Sequence, residues 1–405
     1  MNPPSFLDAI KASATKTTDG NTLVGKLRRV PDSDRHDRSA ANPMLAAQGE
    51  MDAEQEATTR NTFFRSGVDT WYGMLEGMTP STSFCDLRPE EAKIIVEHWK
   101  RQTSGDVATK RMEESELALF DRKIMDEAKI QLGELQRRLE KAVKAEVTRS
   151  PASRAFVKLS TRSPKDSKLV LSKAAMGYKQ SVSRRSHEPE TLNNNMKWII
   201  LSEEVANASA VDDASSALDL LLDSYRVYQD LEYALEGLAE DDGTSEKWNV
   251  SLVARAWDPR ISPQSEFRAI CWDGKMTCLC QYFHPLYFPS IVDRKDEIQD
   301  DILNCFNKPN VREAVSQLGG DCIVDFAWIG PADVLIVELN PFDGVGLGTF
   351  PASTGLFLWD DPTDRRIMQG IEPFEFRVRT VPVPEKELKV GFHRGWRSVI
   401  YDGTV

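Results

Sequence analysis

The stretch Cys322-Ile-Val-Asp-Phe-Ala-Trp-Ile-Gly-Pro-Ala-Asp-Val-Leu-Ile-Val-Glu-Leu-Asn340 reads as two strands across a turn. β-Branched and aromatic residues fill Cys322–Ile329 and Val334–Asn340, and Gly330-Pro331-Ala332-Asp333 supplies turn chemistry between them. If Ile329 faces Val334, Asp325 falls directly opposite Glu338. Opposed residues share a sheet face, and so do residues two apart along a strand, so Asn340 joins them. Val324, Phe326, Trp328, Leu335, Val337 and Leu339 then make the apolar face. Two adjacent carboxylates repel unless something positive sits between them. Two carboxylates and an amide oxygen form a hard-oxygen set, and Mg²⁺ takes one or two protein carboxylates while water and phosphate complete its shell. The alternatives are that one carboxylate pairs with a lysine or arginine, or that the register slips.

Cations suited to phosphate stand in strand contexts elsewhere: Lys158 at a strand end, Lys165 in the following loop, Arg255 in Leu252–Trp257, and Arg268 in Glu266-Phe267-Arg268. A triphosphate with Mg²⁺ needs two or more of them. No P-loop or Rossmann glycine signature is present. Gly344, Gly346 and Gly348 suit turn flexibility better than a phosphate cradle. His284, followed by Pro285, reads as structural, and no nucleophile triad is visible.

Working outward, the 405 residues exceed one ordinary core and imply two lobes. The formal net charge of −12 argues against a general nucleic-acid coat, though a local basic patch remains open. No apolar run is long enough to span a membrane and no signal peptide is apparent, so a cytoplasmic protein is expected. The six cysteines, Cys278 and Cys280 among them, read as reduced core thiols. The expected fold is α+β with antiparallel sheets. Residues 1–62 form a mobile extension, 63–250 an N-terminal lobe, 251–384 a C-terminal lobe carrying the site, and 385–405 a tail. A long amphipathic helix over 113–146 carries Leu117, Phe120, Ile124, Ala128, Leu132, Leu135 and Leu139 at helical spacing. Helices are also expected over Pro89–Trp99, Ala208–Leu238 and Ile291–Phe306, and a strand over Ala155–Ser160. The acid-rich run Asp230–Glu246 reads as a solvated face. Asp273-Gly274 between Glu266–Trp272 and Lys275–Phe283 is the strongest hairpin signal.

Several short motifs, in order, resemble those of the cell division cycle protein 123 family. They are Thr70-Trp71-Tyr72, Thr79-Pro80-Ser81-Thr82, Phe156-Val157-Lys158-Leu159, Ser163-Pro164-Lys165-Asp166, Leu252–Trp257, Glu266-Phe267-Arg268, Glu338-Leu339-Asn340-Pro341-Phe342, Gly355–Trp359 and Phe374–Val378. The resemblance spans roughly Val68 to Pro384 and implies an ATP-grasp fold. It further implies that Lys158, Lys165, Asp166, Arg255 and Arg268 contact ATP, and that Asp325, Glu338 and Asn340 hold Mg²⁺. It also implies an assembly chaperone that promotes joining of the alpha and gamma subunits of translation initiation factor 2, with the gamma subunit as partner and a monomeric state. Glu338 stands where the family has Asp, Ala256 where it has Lys, and Ser160-Thr161 where it has Asn-Trp. The competing reading is an ATP-grasp ligase or kinase that activates a carboxylate through an acyl phosphate. No catalytic base accompanies the cations, which leans towards the chaperone. Bound only to the native state, ATP can stabilise it without turning over.

Overall fold

The computed structural model describes residues 60–104, 114–185, 192–240, 248–342, 354–359, 361–392 and 394–401. The expected extension therefore lies outside the described residues except for 60–62, and Gly344, Gly346 and Gly348 lie outside them too. Residues 60–65 are already helical because Phe63 and Phe64 are buried, their rings edge to face at 5.2 Å.

The fold is α+β, with two sheets in two compact units. The first unit comprises Ser81–Val170 and Ser209–Trp257. Its sheet has four strands in the order β1 (Thr82–Asp86), β4 (Ser251–Ala256), β2 (Ala155–Leu159), β3 (Ala210–Val211). All its pairings are antiparallel. A lobe boundary at 250/251 would sever this sheet. The backbone groups of β4 bond to β1 and β2, so the division falls after Trp257.

The helix expected over 113–146 is two helices, Glu114–Gln131 and Gly133–Arg149, with Leu132 between them at φ −90° and ψ 12°. Gly133 weakens a helix interior and is the natural point of interruption. The apolar stripe survives the break, since Ile124, Ala128, Leu132, Leu135 and Leu139 are all buried. The second helix packs on β1 and β4, where Ser83 Oγ donates to the buried Glu146 at 2.6 Å. The helix Pro89–Ser104 opens with one half of a capping box: Glu91 accepts from the Arg88 backbone N–H at 2.9 Å and pairs with Arg138 at 2.7 Å.

The helical stretch expected from Ala208 to Leu238 is divided. Asn194–Ala208 ends before β3, and Ala214–Leu222 and Tyr225–Glu240 follow. Asp213 caps the middle one by accepting from Ser216 N at 2.8 Å. The acid-rich run is not simply a solvated face. Asp230 is buried and accepts from Thr161 Oγ1 at 2.6 Å and Arg162 Nε at 2.7 Å, while buried Glu232 pairs with Lys100 at 2.8 Å. These acids lie on the inward stripe of an amphipathic helix, and the cations that neutralise them come from distant positions.

The second unit comprises the described parts of Ala14–Pro80, Leu171–Ala208 and Asp258–Val405. Its sheet has five strands in the order β8 (Asp333–Pro341), β7 (Cys322–Gly330), β5 (Glu266–Trp272), β6 (Lys275–Gln281), β9 (Glu375–Arg377). The expected 266–283 hairpin turns at Asp273 and Gly274, with φ of 49° and 67° as a type I′ turn demands. The helix expected at 291–306 is Pro289–Asp293 followed by Lys295–Phe306. Lys295 Nζ lies 5.5 Å from the Phe376 ring, and Trp328 Nε1 donates to Asp301 at 2.8 Å. The second helix therefore backs the face carrying Phe267, Phe326 and Phe376. Among the described residues no helix is long and apolar enough to cross a membrane. All six cysteines are free and buried.

The acidic hairpin departs from the expected register near its turn. Trp328, not Ile329, faces Val334, and Gly330 faces Asp333, leaving a two-residue turn of Pro331 and left-handed Ala332. The ladder then slips once more, because Glu338 faces Asp325 but Ile336 faces Phe326, so Val337 is an extra, bulged residue. Asp325 opposite Glu338 is thus retained. The buried face of β8, however, is Val334, Ile336 and Leu339 rather than Leu335, Val337 and Leu339.

Two glycines should respond oppositely to alanine. Gly320 has φ +87°, and a Cβ there would lie 2.9 Å from Gly274 N, whose N–H donates to Gly320 O at 3.0 Å. Gly320→Ala is expected to cost about 1–2 kcal/mol or more. Gly133→Ala meets nothing within 4 Å and should stabilise by about 0.5–1 kcal/mol. Urea unfolding midpoints of the two variants check both signs.

Candidate functional site

In the five-stranded sheet one row crosses every strand in direct register: Glu338, Asp325, Arg268, Cys280, Arg377. Opposed residues share a face, so all five side chains leave the sheet on one side. Asn340 and Ile323, two residues along, lie on the same side. The Arg268 guanidinium meets Asp325 through two parallel bonds, Nε to Oδ1 and Nη2 to Oδ2, both 2.8 Å. Asn340 Nδ2 donates to Asp325 Oδ2 at 3.3 Å, and the Tyr282 ring lies 4.7 Å from the guanidinium carbon. Arg268 and Asp325 are 8% and 2% exposed. Burial works against the charge on Arg268, but the Asp325 carboxylate outweighs it and holds the guanidinium pKa above its ordinary range. Asp325 is therefore paired with an arginine, the alternative to a metal, supplied by the strand on its side away from Glu338.

At the other end of the row, Arg377 bonds Glu375 through Nε and Nη2, both 2.9 Å, and pairs with Asp364 at 2.7 Å. The Glu375 hydrogen bond and then Asp364 raise its pKa, and Arg377 in turn lowers that of Glu375. Cys280, between the two arginines, is pushed up to about 11 by burial. Ile270, Cys278, Ile323, Phe342, Phe357 and Trp359 close over the same face as an apolar cluster.

Arg377 was not among the expected site residues, although the sequence holds a signal for it. The tripeptide Glu-Phe-Arg occurs at 266–268 and again at 375–377. The two copies flank β6, both arginines are in register with Cys280, and Phe267 and Phe376 meet edge to face at 5.9 Å on the opposite side.

The remaining expected residues belong to the four-stranded sheet. Lys158 opposes Val253, and Arg255 opposes both Phe156 and Thr82. Lys158 and Arg255 therefore share a face, opposite the one backed by the helix Gly133–Arg149. Both are buried, and Arg255 Nε donates to Thr82 Oγ1 at 3.3 Å. Phe84, 42% exposed, lies on that face in the same cross-strand row as Lys158. Lys165 is exposed in the loop after β2. Asp166 is engaged locally, accepting from Ser224 Oγ at 2.6 Å and Arg226 N at 3.0 Å at the start of the helix Tyr225–Glu240. The His284 carbonyl accepts from Arg379 Nε at 2.8 Å, and its backbone N–H donates to the Tyr282 carbonyl at 2.9 Å.

The two sheets thus define an α+β protein with paired cations on one sheet face and an arginine–carboxylate row on the other sheet. The family model described as D123 matches residues 195–385, a stretch holding Arg255, Arg268, Asp325, Glu338 and Asn340. Two curated relatives, from Sclerotinia sclerotiorum and Botryotinia fuckeliana, are each described as a translation initiation factor eIF2 assembly protein. They are 34% and 33% identical to this chain over 108 residues, 25% of this chain and 25% of each relative. The chain thus spans a quarter of the length of the relatives it matches. Among solved structures, Cdc123 from Schizosaccharomyces pombe is similar at 17% identity and a TM-score of 0.47, over 79% of this chain and 98% of that one. Its C-terminally truncated form is similar at 16% identity with the same score, over 80% and 98%.

The buried pair makes a sharp prediction. Asp325→Ala strands an uncompensated guanidinium and should cost about 3–5 kcal/mol, whereas replacing both partners by Leu and Met should recover most of the loss. Chemical denaturation of the single and double variants measures both quantities.

Proposed function

We propose that this chain is a Mg²⁺-ATP-binding assembly factor for translation initiation factor 2, built on an ATP-grasp fold and acting on the gamma subunit. The observation that carries the nucleotide part is the row itself, in which Asp325, Glu338 and Asn340 share one sheet face with Arg268. The description of the relatives as eIF2 assembly proteins, together with the match of residues 195–385 to the D123 family model, supports the partner.

The donor chemistry fits the metal. An ionised carboxylate offers about four acceptor directions. Asp325 has given three of them, to Arg268 Nε, Arg268 Nη2 and Asn340 Nδ2. The fourth direction, Glu338 alongside and the amide oxygen of Asn340 make up the hard-oxygen set. Among the described residues no cluster of three or more His, Cys, Asp and Glu could hold a metal alone. Sharing the ion with phosphate oxygens suits such a sparse set. When bound, Mg²⁺ would neutralise phosphate charge. Arg268 keeps Asp325 aimed through two hydrogen bonds, and the bulge at Val337 keeps Glu338 in register beside it. In the four-stranded sheet, Lys158 and Arg255 share one face as cations suited to phosphate, and Asp166 fixes the loop that carries Lys165 through Ser224 and Arg226. Among the described residues no acid–base pair poised for group transfer accompanies these cations, and in this reading nucleotide binding serves shape rather than turnover. A monomeric, cytoplasmic protein is part of the reading.

Calorimetry tests the site. Glu338→Gln and Asn340→Ala are expected to weaken ATP binding in Mg²⁺ by about 1–3 kcal/mol and to leave it unchanged in EDTA. Equal affinities with and without the metal in the parent protein would overturn the metal assignment. Co-expression with the alpha and gamma subunits tests the partner. The chain should co-purify with gamma and raise the yield of the alpha–gamma complex, and absence of both effects would refute it.

A further inference from the structure

The helix Lys168–Arg185 carries five cations and no acid within its span, in a chain of net charge −12. Its inner face is accounted for, since Val170, Ala174, Ala175, Tyr178 and Val182 are buried. The outer face has an order of its own. Leu169, Met176 and Ser183, seven residues apart, run down its middle, with Lys168 and Lys179 on one flank and Lys173 and Arg184 on the other. All seven are exposed, Leu169 at 36% and Met176 at 58%. Arg185 is paired with Glu203 at 2.7 Å. The side chains of Lys173, Lys179 and Arg184, by contrast, make no hydrogen bond or ion pair among the described residues.

We infer that this face receives an acidic amphipathic helix of a partner protein, with carboxylates on both flanks and apolar side chains at seven-residue spacing. Three observations select that occupant. Cations on both flanks call for anions on both sides of a seam, as at the charged flanks of paired helices. The seam begins with two large apolar side chains in open solvent, which a phosphate backbone would not use, and the chain's overall negative charge repels an extended polyanion. It then passes through Ser172, Gln180 and Ser183 without an aromatic residue, too polar a strip to enter a lipid surface. From Leu169 to Ser183 the seam is about 21 Å long at helical rise, enough for about four turns of a partner. The inference is independent of the nucleotide site.

The probe is a fluorescein-labelled helical peptide of about twenty residues with Leu on a seven-residue seam and Glu on both flanks. Its anisotropy is followed against the full chain, beside poly(U) RNA and phosphatidylserine vesicles. The parent is expected to bind the peptide more tightly than either comparator and to lose affinity as salt rises. K173E/K179E/R184E should bind at least about tenfold more weakly, and Met176→Ser about threefold more weakly with an unchanged salt dependence. Because every altered side chain is exposed, circular dichroism and ATP binding of the variants should match the parent, which separates this test from that of the nucleotide reading. Unchanged peptide binding by the triple variant would overturn the inference, as would tighter binding of RNA or vesicles than of the peptide.

Discussion

The buried contact between Arg268 and Asp325 governs the second unit. It joins neighbouring strands through two parallel bonds, and it removes the repulsion that would otherwise push Asp325 and Glu338 apart across the acidic hairpin. Few other side chains could do this. A lysine would supply the charge without the fork, and a neutral residue would leave a carboxylate stranded in a nearly dry setting. The row through Cys280 to Arg377 extends the arrangement to the sheet edge, where Glu375 and Asp364 neutralise the second guanidinium. Charge alternates along the face in neighbouring pairs, while the opposite face is filled by Phe267, Phe326, Leu339 and Phe376.

Such an arrangement is polar and rigid together. Arg268, Asp325, Arg377 and Glu375 are each held by at least two bonds, and the apolar cluster around Phe357 and Trp359 shields one flank of the row. A ligand that drew on Asp325 would compete with a contact already formed there. Specificity then rests on what it brings to Glu338 and Asn340, which are only partly buried.

Much of this was legible in the chain. Asp273-Gly274 announces its hairpin because few dipeptides tolerate two positive φ values in succession, and Asp325 faces Glu338 as pairing across the turn requires. The bulge at Val337 escaped, since a run of four apolar residues carries no mark of which one is extra. The buried acids Asp230 and Glu232 escaped because their partners, Arg162 and Lys100, lie far away in sequence and only tertiary structure reveals the match. The allegiance of β4 escaped for a related reason: a strand's pattern reports that it is a strand, not which neighbours complete its hydrogen bonds. Arg377 was within reach, since its tripeptide repeats that of Arg268, but the repeat gains meaning only when β6 is seen between the two copies.

β9 runs parallel to β6, although every other pairing in its sheet is antiparallel, and the residues it joins, Cys280 and Arg377, are about a hundred positions apart in the chain. Everything between them, the acidic hairpin included, is a closed circuit sealed by a strand of three residues. On a ribosome, that seal can form only after β9 has emerged, well after β6. Until then β6 presents a bare hydrogen-bonding edge, open to unwanted strand pairing for as long as β9 is missing.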